Sequence, residues 1–152
     1  MSANSNLLHA IHLLENNFDK INWWYLSQNP DLSYAIPLLE KHPEKINWMC
    51  LSSNPNALTL LEKNKDKIDW SQISENPNIN VVNTLIEPNI NNPDIPIDWD
   101  RLSRNPNALH ILKKNKNKIN WNSILRNPSI FEIDLLQYNI DITKKIKNID
   151  CF

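Results

Sequence analysis

The sequence predicts an all-α protein, an α-solenoid of five to six helical hairpins of about 22 residues each. Two observations predict this fold, and a third excludes several kinds of functional site. The motif Ile-[Asn/Asp]-Trp-x-x-[Leu/Ile]-x-x-Asn-Pro occurs five times, always with six residues from Trp to Asn. The segments between the motifs carry apolar residues at helical spacing. The chain contains no Gly, which excludes Gly-dependent phosphate loops, dinucleotide fingerprints and nucleophile elbows.

Two sets of positions carry the same residue in every repeat. Successive motif Trp residues are 25, 22, 29 and 22 positions apart, so the basic unit has about 22 residues. We predict that both sets are structural framework and that each Trp packs between neighbouring repeats. The Trp positions are Trp23, Trp48, Trp70, Trp99 and Trp121, and the Asn positions are Asn29, Asn54, Asn76, Asn105 and Asn127.

The longer helix of each unit is predicted to follow the Asn-Pro pair. Asn54 is a good N-cap, and Pro55 then falls at the first helical position, where its missing N–H costs nothing. Ala57, Leu58 and Leu61 lie on one apolar stripe, because residues three or four apart share a helix face. We predict about ten residues for this helix, ending near Asn64.

The second helix of each unit is predicted to be short. Asp69 is its N-cap, and Gln72, three residues later, completes a capping box. Ile68 before the cap and Ile73 at the fourth helical position form a hydrophobic staple, which fixes the angle of chain entry. The same staple recurs as Ile21/Leu26, Ile46/Leu51, Ile97/Leu102 and Ile119/Ile124.

Three irregular segments interrupt a single helical-repeat domain over residues 1–152. The segment Asp31–Pro37 carries three extra residues, and we expect the helix to restart near Ser33 or Ile36. An insertion loop is expected near residues 87–96, which contain three Pro and three Asn. Residues 128–152 are expected to form a degenerate C-terminal cap, with a helical pattern from 131 to 138 but no following Trp.

One longer pattern resembles a known group of proteins. Residues 54–70 and 105–121 both read Asn-Pro-Asn-Ala-Leu-x-x-Leu-[Glu/Lys]-Lys-Asn-x-x-Lys-Ile-[Asn/Asp]-Trp. This pattern resembles the short repeats in proteins of giant nucleocytoplasmic DNA viruses, the mimivirus-like group especially, over about residues 6–139. The 26 Asn, 20 Ile and 13 Lys have AT-rich codons, which agrees with such a source. The resemblance implies a viral protein but no established activity and no catalytic residue.

The best candidate binding surface comes from the two residues after each motif Trp. These residues vary between repeats, and variable positions of a solenoid are usually exposed. The first two repeats place two aromatic residues, a Met and a Cys there, which are Trp24, Tyr25, Met49 and Cys50. Exposed apolar patches mark interaction sites, so we predict that a viral or host protein binds here. In the alternative, Trp24 and Tyr25 pack under the adjacent insertion with Tyr34.

Charge is distributed unevenly along the chain. Residues 1–100 contain 6 basic and 13 acidic residues, whereas residues 101–152 contain 10 basic and 4 acidic ones. The basic end could bind a nucleic-acid backbone through Arg101, Arg104, Lys113, Lys114, Lys116 and Lys118. Alternatively, these residues form an ordinary solvated face. A third alternative is a self-assembling element in which opposite ends associate head to tail.

Other classes of function find little support in the sequence. His9 and His12 are three residues apart but have no further metal ligand nearby, so we expect no metal site and no cofactor. Two Cys provide no disulfide framework, and no nucleophile with an oxyanion device is recognisable, so we expect no enzyme. No signal peptide or membrane-spanning apolar run is visible. We therefore expect a non-catalytic, soluble intracellular interaction module, located in the host cytoplasm, a virus factory or the virion.

Overall fold

The computed structural model describes residues 5–31 and 35–130, of which residues 5–9 are described by their backbone alone. Throughout these ranges the regular secondary structure is helical, without β-strands, as an all-α fold requires. The α-helices are α1 Ser5–Glu15, α2 Trp23–Gln28, α3 Ile36–Lys41, α4 Trp48–Ser53, α5 Leu58–Lys63, α6 Trp70–Ile73, α7 Ile79–Val81, α8 Trp99–Arg104, α9 Leu109–Lys114 and α10 Trp121–Ile124.

The same order of elements occurs five times. Each repeat has one helix (α1, α3, α5, α7 or α9), a 3-10 turn, and a short helix that begins at the motif Trp. We number the repeats one to five along the chain. The intervening 3-10 turns are Phe18–Lys20, Pro43–Lys45, Lys65–Lys67, Glu87–Asn89 and Lys116–Lys118.

The N-caps of the short helices confirm the sequence prediction. Asp69 Oδ1 accepts a hydrogen bond from the backbone N–H of Gln72 at 2.9 Å, and the residue before each of the other motif Trp residues caps in the same way. The second bond of the predicted capping box, from the backbone N–H of Asp69 to the Gln72 side chain, is not formed. The backbone N–H of Asp69 donates instead to Ser52 Oγ of the preceding repeat, at 2.9 Å. The cap therefore joins two repeats as well as starting a helix.

The predicted start of the longer helix is wrong by about three residues. α5 begins at Leu58 and has six residues, and its N-cap is Ala57. Asn54 follows α4, and its Oδ1 accepts from the backbone N–H of Asn56 at 3.0 Å. This bond closes a turn around Pro55, so the Asn side chain caps a turn between the helices rather than the helix itself.

The two insertions affect the helices differently. α3 begins at Ile36 with Pro37 in its first turn, which confirms one of the two predicted restart points; Ser33 lies outside the described residues. In the fourth repeat, α7 continues as a π-helical turn, Val82–Ile86, and a 3-10 turn, Glu87–Asn89. The loop expected near 87–96 therefore starts with helical residues. Only residues 128–130 of the predicted C-terminal cap are described, as a 3-10 turn.

One apolar core runs through all five repeats. Its buried members come from α2 and from both helices of each later repeat, and the largest are less than 2% exposed. From α1, the partly buried Leu14 packs against the core. Each staple contributes to this cluster, as Ile68 and Ile73 show at 7% and 0% exposure. Helices of six residues are too short to be stable alone in water, so this shared core is what stabilises them.

Buried Asn side chains connect successive repeats. Asn76 Nδ2 donates to the carbonyl oxygens of Ser52 and Asn54 in the preceding repeat, at 2.8 and 3.0 Å. The same pair of bonds to the preceding repeat is made by Asn54, Asn105 and Asn127. All four Asn residues are at most 3% exposed. Because the polar groups of each Asn are satisfied by backbone groups, these residues can be buried at little cost.

Candidate functional site

The motif Trp residues differ in exposure according to their repeat. Trp23, Trp48, Trp70 and Trp99 are half-buried and pack against the core. Trp121 is 66% exposed, so the expected packing between repeats does not hold for this residue. The reason is its position, since no described repeat follows the fifth one. Trp23, by contrast, contacts His42 of the following repeat edge to face, with ring centroids 5.9 Å apart.

The structure divides the predicted binding residues into two groups. Trp24, Tyr25 and Met49 are exposed by 41%, 65% and 48%. Cys50 is only 5% exposed, so its predicted place on an exposed surface is wrong. Burial also raises the pKa of the Cys50 thiol, which disfavours the reactive thiolate.

The buried position of Cys50 is explained by the direction of the second residue after each motif Trp. In the fourth repeat this residue is Arg101, whose Nη1 donates to Glu75 Oε2 of the preceding repeat at 2.6 Å. In the fifth repeat it is Ser123, whose hydroxyl donates to Asp100 Oδ1 of the preceding repeat. In these two repeats the second position after Trp therefore contacts the preceding repeat. Its counterpart in the third repeat, Gln72, also accepts from Arg101 Nη1 of the following repeat at 3.4 Å.

Tyr25 occupies this same position in the first repeat, where no described repeat precedes it. Its side chain is exposed for that reason, whereas its counterparts Cys50 and Ser123 are buried at 5% and 8% exposure. The variable pairs thus do not form one uniform row. The first residue of the pair, Trp24 or Met49, is exposed in repeats one and two. The second residue contacts the preceding repeat in repeats four and five.

Leu13 in α1 shows the same contrast and was missed by the sequence prediction. It is 59% exposed, although it aligns with core leucines or isoleucines in every later repeat. Each counterpart is 1% exposed, namely Leu38, Leu60, Leu85 and Ile111. The signal was available in the alignment of the repeats, because among the described residues the first repeat has a neighbouring repeat on one side only.

These exposed residues border an open groove of about 500 Å³ at the first repeat. Its apolar lining comes from both helices of that repeat, and we call it the N-terminal groove. The apolar residues are Leu13, Leu14, Ile21, Tyr25 and Leu26, and the polar ones are Asn17, Lys20, Asn22 and Asn29. An open groove lined mainly by apolar side chains is suited to a protein surface or an apolar peptide.

Trp24 extends the apolar surface beyond the groove. Its ring contacts that of Tyr25 edge to face, with centroids 4.8 Å apart and an interplanar angle of 86°. The alternative prediction placed both rings under the insertion with Tyr34, which lies outside the described residues. Aromatic pairs that are rigid and partly exposed are typical anchors of protein interfaces.

Half of the predicted basic patch is paired with carboxylates. Arg101 contacts Glu75 at 2.6 Å and Asp98 at 3.3 Å, and Arg104 contacts Asp100 at 3.4 Å. Lys114 contacts Glu87 at 2.9 Å. Lys113, Lys116 and Lys118 are exposed, and no carboxylate of the described residues forms an ion pair with them. The positive field of the patch is therefore reduced where repeats four and five meet.

The pKa values of three carboxyl groups are lowered at contacts between repeats. Hydrogen bonds from lysine lower the pKa of Glu15, through Lys41, and of Glu87, through Lys114. For Asp98, burial raises the pKa, but the backbone N–H of Arg101, the Ser71 hydroxyl and the Arg101 charge together lower it. These carboxylates are thus held in their charged form by neighbouring repeats.

Other kinds of site find no geometric support in the part of the chain that the structure describes. There, no three His, Cys, Asp or Glu residues lie close enough together to hold a metal ion. Within the same residues, no helix is long and apolar enough to cross a bilayer. His12, one of the two His residues considered above, has a side chain that is 63% exposed.

Comparison with known proteins adds no relative. No protein-family model matches the chain, no curated protein matches it, and no solved structure matches it. The resemblance to giant-virus repeats therefore stays a prediction from the sequence.

Proposed function

We propose that the chain is an α-solenoid of helical hairpins that serves as a non-catalytic protein–protein interaction module. The regular bonds between repeats support the solenoid. Asn76 and Asn105, for example, each bridge to two carbonyl groups of the preceding repeat. The single apolar core through all five repeats supports it as well. A chain of repeats that contact only their neighbours offers extended surfaces for binding.

The observation that carries the proposed binding function is the N-terminal groove together with the exposed aromatic pair beside it. Tyr25 and Leu13 are 65% and 59% exposed. The counterparts of Leu13 are buried in every later repeat, and two counterparts of Tyr25, Cys50 and Ser123, are buried as well. Exposure of large apolar side chains costs free energy, and a protein partner that covers them regains it. Trp and Tyr are the residue types that most often dominate such interfaces.

The sequence resemblance adds a biological setting to this proposal. On that basis the protein acts inside an infected cell, and its partner is a viral or host protein. Nucleic acid is a weaker candidate, because Arg101, Arg104 and Lys114 already pair with carboxylates. A phosphate backbone would have to compete with these contacts.

Affinity capture with matched variants tests the proposed function. The bait proteins are the wild type, Trp24→Ala/Tyr25→Ala, and the control Thr59→Ala/Glu62→Ala, which alters exposed residues of α5. Lysate is used with and without nuclease. We expect the wild type and the control to retain the same protein, and the aromatic double variant to lose at least about tenfold of it.

Two outcomes would contradict the proposal. If the aromatic double variant retains the same protein as the wild type, the exposed aromatic pair is not the binding site. If only nucleic acid is retained, in a nuclease-sensitive way that the aromatic substitutions do not affect, the basic residues of repeats four and five carry the function instead. Circular dichroism of all three proteins ensures that lost binding does not reflect unfolding.

A further inference from the structure

We propose that the N-terminal groove binds the fifth repeat of a second copy of this chain, so that copies associate head to tail. This inference rests on the proposed interaction function and names the partner of that same groove. It follows from what the groove residues do elsewhere in the protein, from the other exposed end, and from the distribution of charge.

The first argument is continuity with the contacts between repeats. Leu38 and Leu60, the counterparts of Leu13, are each 1% exposed where a repeat precedes them. Cys50, the counterpart of Tyr25, is only 5% exposed. The groove therefore presents, in an exposed form, the surface that each later repeat presents to its predecessor. The surface that fits it is the trailing side of another such repeat.

The second argument is that the fifth repeat exposes a suitable apolar surface. Trp121 is 66% exposed, whereas the four earlier motif Trp residues are half-buried. Leu125 is 62% exposed and occupies a position that is Ser in the earlier repeats, for instance Ser52 and Ser74. Those Ser hydroxyls accept a backbone N–H from the next repeat, at 2.9 and 3.1 Å. Leu125 replaces that hydrogen bond with apolar area, which makes the contact between copies more apolar than the internal ones.

The third argument is charge. The first repeat, residues 5–31, carries three acidic residues and one basic residue, whereas residues 106–130 carry five basic residues and no acidic one. Joining unlike ends brings opposite charges together, whereas joining like ends brings like charges together. Charge therefore favours head-to-tail over head-to-head association. A head-to-tail contact is heterologous and leaves one end free on each copy, so it can extend beyond a dimer.

Sedimentation equilibrium of the purified full-length protein tests this proposal with variants at each end. Leu13→Glu places a charge in the N-terminal groove, and Leu125→Glu places one on the fifth repeat. Tyr25→Glu is a second groove variant in case Leu13→Glu folds poorly, as judged by circular dichroism. Thr59→Glu is the matched control, since Thr59 is exposed on α5 in the third repeat.

We expect the mass of the wild type and of Thr59→Glu to rise with concentration beyond a dimer. Each end variant alone is expected to associate at least about tenfold more weakly. An equimolar mixture of Leu13→Glu and Leu125→Glu is expected to form 1:1 dimers that do not grow, because each variant keeps the end that the other lacks.

Three results would overturn the proposal. A wild type that stays monomeric at every concentration shows that the groove does not bind a second copy. Leu125→Glu that associates as strongly as the wild type shows that the contact is head to head. A mixture that remains monomeric shows that the two ends do not bind each other. Any of these results would leave the proposed function intact if the lysate experiment still identifies another protein that binds through Trp24 and Tyr25.

Discussion

The first repeat and the inner repeats place equivalent positions in different surroundings. Leu13 in the first repeat is 59% exposed, and Leu60 at the same position in the third is 1% exposed. Tyr25 is 65% exposed, and Cys50 at the equivalent position one repeat later is 5% exposed. For Leu13 and Leu60 the residue type is the same, so the difference comes from what lies against each side chain.

This comparison shows how a repeat protein can expose an apolar surface without a dedicated motif. In the inner repeats, the side chains equivalent to Leu13 are buried in the apolar core. At the first repeat the same side chains are exposed and can bind a partner. The internal contacts between repeats thus indicate the chemistry that the exposed end can accept.

The largest expected effect in this comparison is on stability. Leu60→Ala should lower the free energy of unfolding by about 3–5 kcal/mol, because it removes a fully buried side chain and leaves a cavity. Leu13→Ala should cost less than about 1 kcal/mol, because most of that side chain is already in water. Urea unfolding at protein concentrations where the chain is monomeric measures both. Equal costs would show that Leu13 is covered within the monomer.

A smaller effect is expected from the Asn contacts between repeats. Asn76→Ala should cost about 2–3 kcal/mol, because the Ser52 and Asn54 carbonyl groups lose their side-chain donor while remaining buried. Asn80→Ala is the control and should change stability by no more than about 0.5 kcal/mol, since Asn80 is exposed on α7. Thermal unfolding followed by circular dichroism compares the two. A cost for Asn76→Ala as small as that of the control would show that these bonds do not stabilise the contact.

The smallest effect is expected from pH. The pKa of Asp98 is lowered in the folded protein, so its contribution to stability is present above its usual value of 3.8. That contribution is lost as the pH falls through the folded value. The melting temperature should therefore be nearly constant from pH 7 to about pH 5 and decrease below about pH 4. Asp98→Asn should show a smaller decrease over the acid range, and an unchanged decrease would rule out Asp98 as a source of it.

Much of the local structure could be predicted from the sequence. The five short helices, their N-caps such as Asp69, and the restart of α3 at Ile36 follow from motifs whose residues lie close together in the chain. The prediction that Asn54 starts a helix was wrong because two roles compete for its side chain. Its Oδ1 caps a local turn, and its Nδ2 binds carbonyl groups of the preceding repeat. The second role involves residues 25 and 27 positions away, which local pattern rules do not consider.

The candidate site could be predicted only in part, because burial also depends on residues far away in the chain. The exposure of Trp24, Tyr25 and Met49 agrees with the variability of those positions, whereas Cys50 is buried and Leu13 was not identified. Both exceptions depend on which face of a repeat meets its neighbour.

The sequence by itself determined the repeated motif and the short helices, because these depend on hydrogen bonds and spacing within a few residues. Only the tertiary structure decided that Cys50 is buried whereas Leu13 and Tyr25 are exposed. It also decided that Arg101 and Ser123 contact the preceding repeat. Burial depends on what lies across the surface of a side chain, and in this protein the covering residues belong to another repeat, some 20 to 30 positions along the chain.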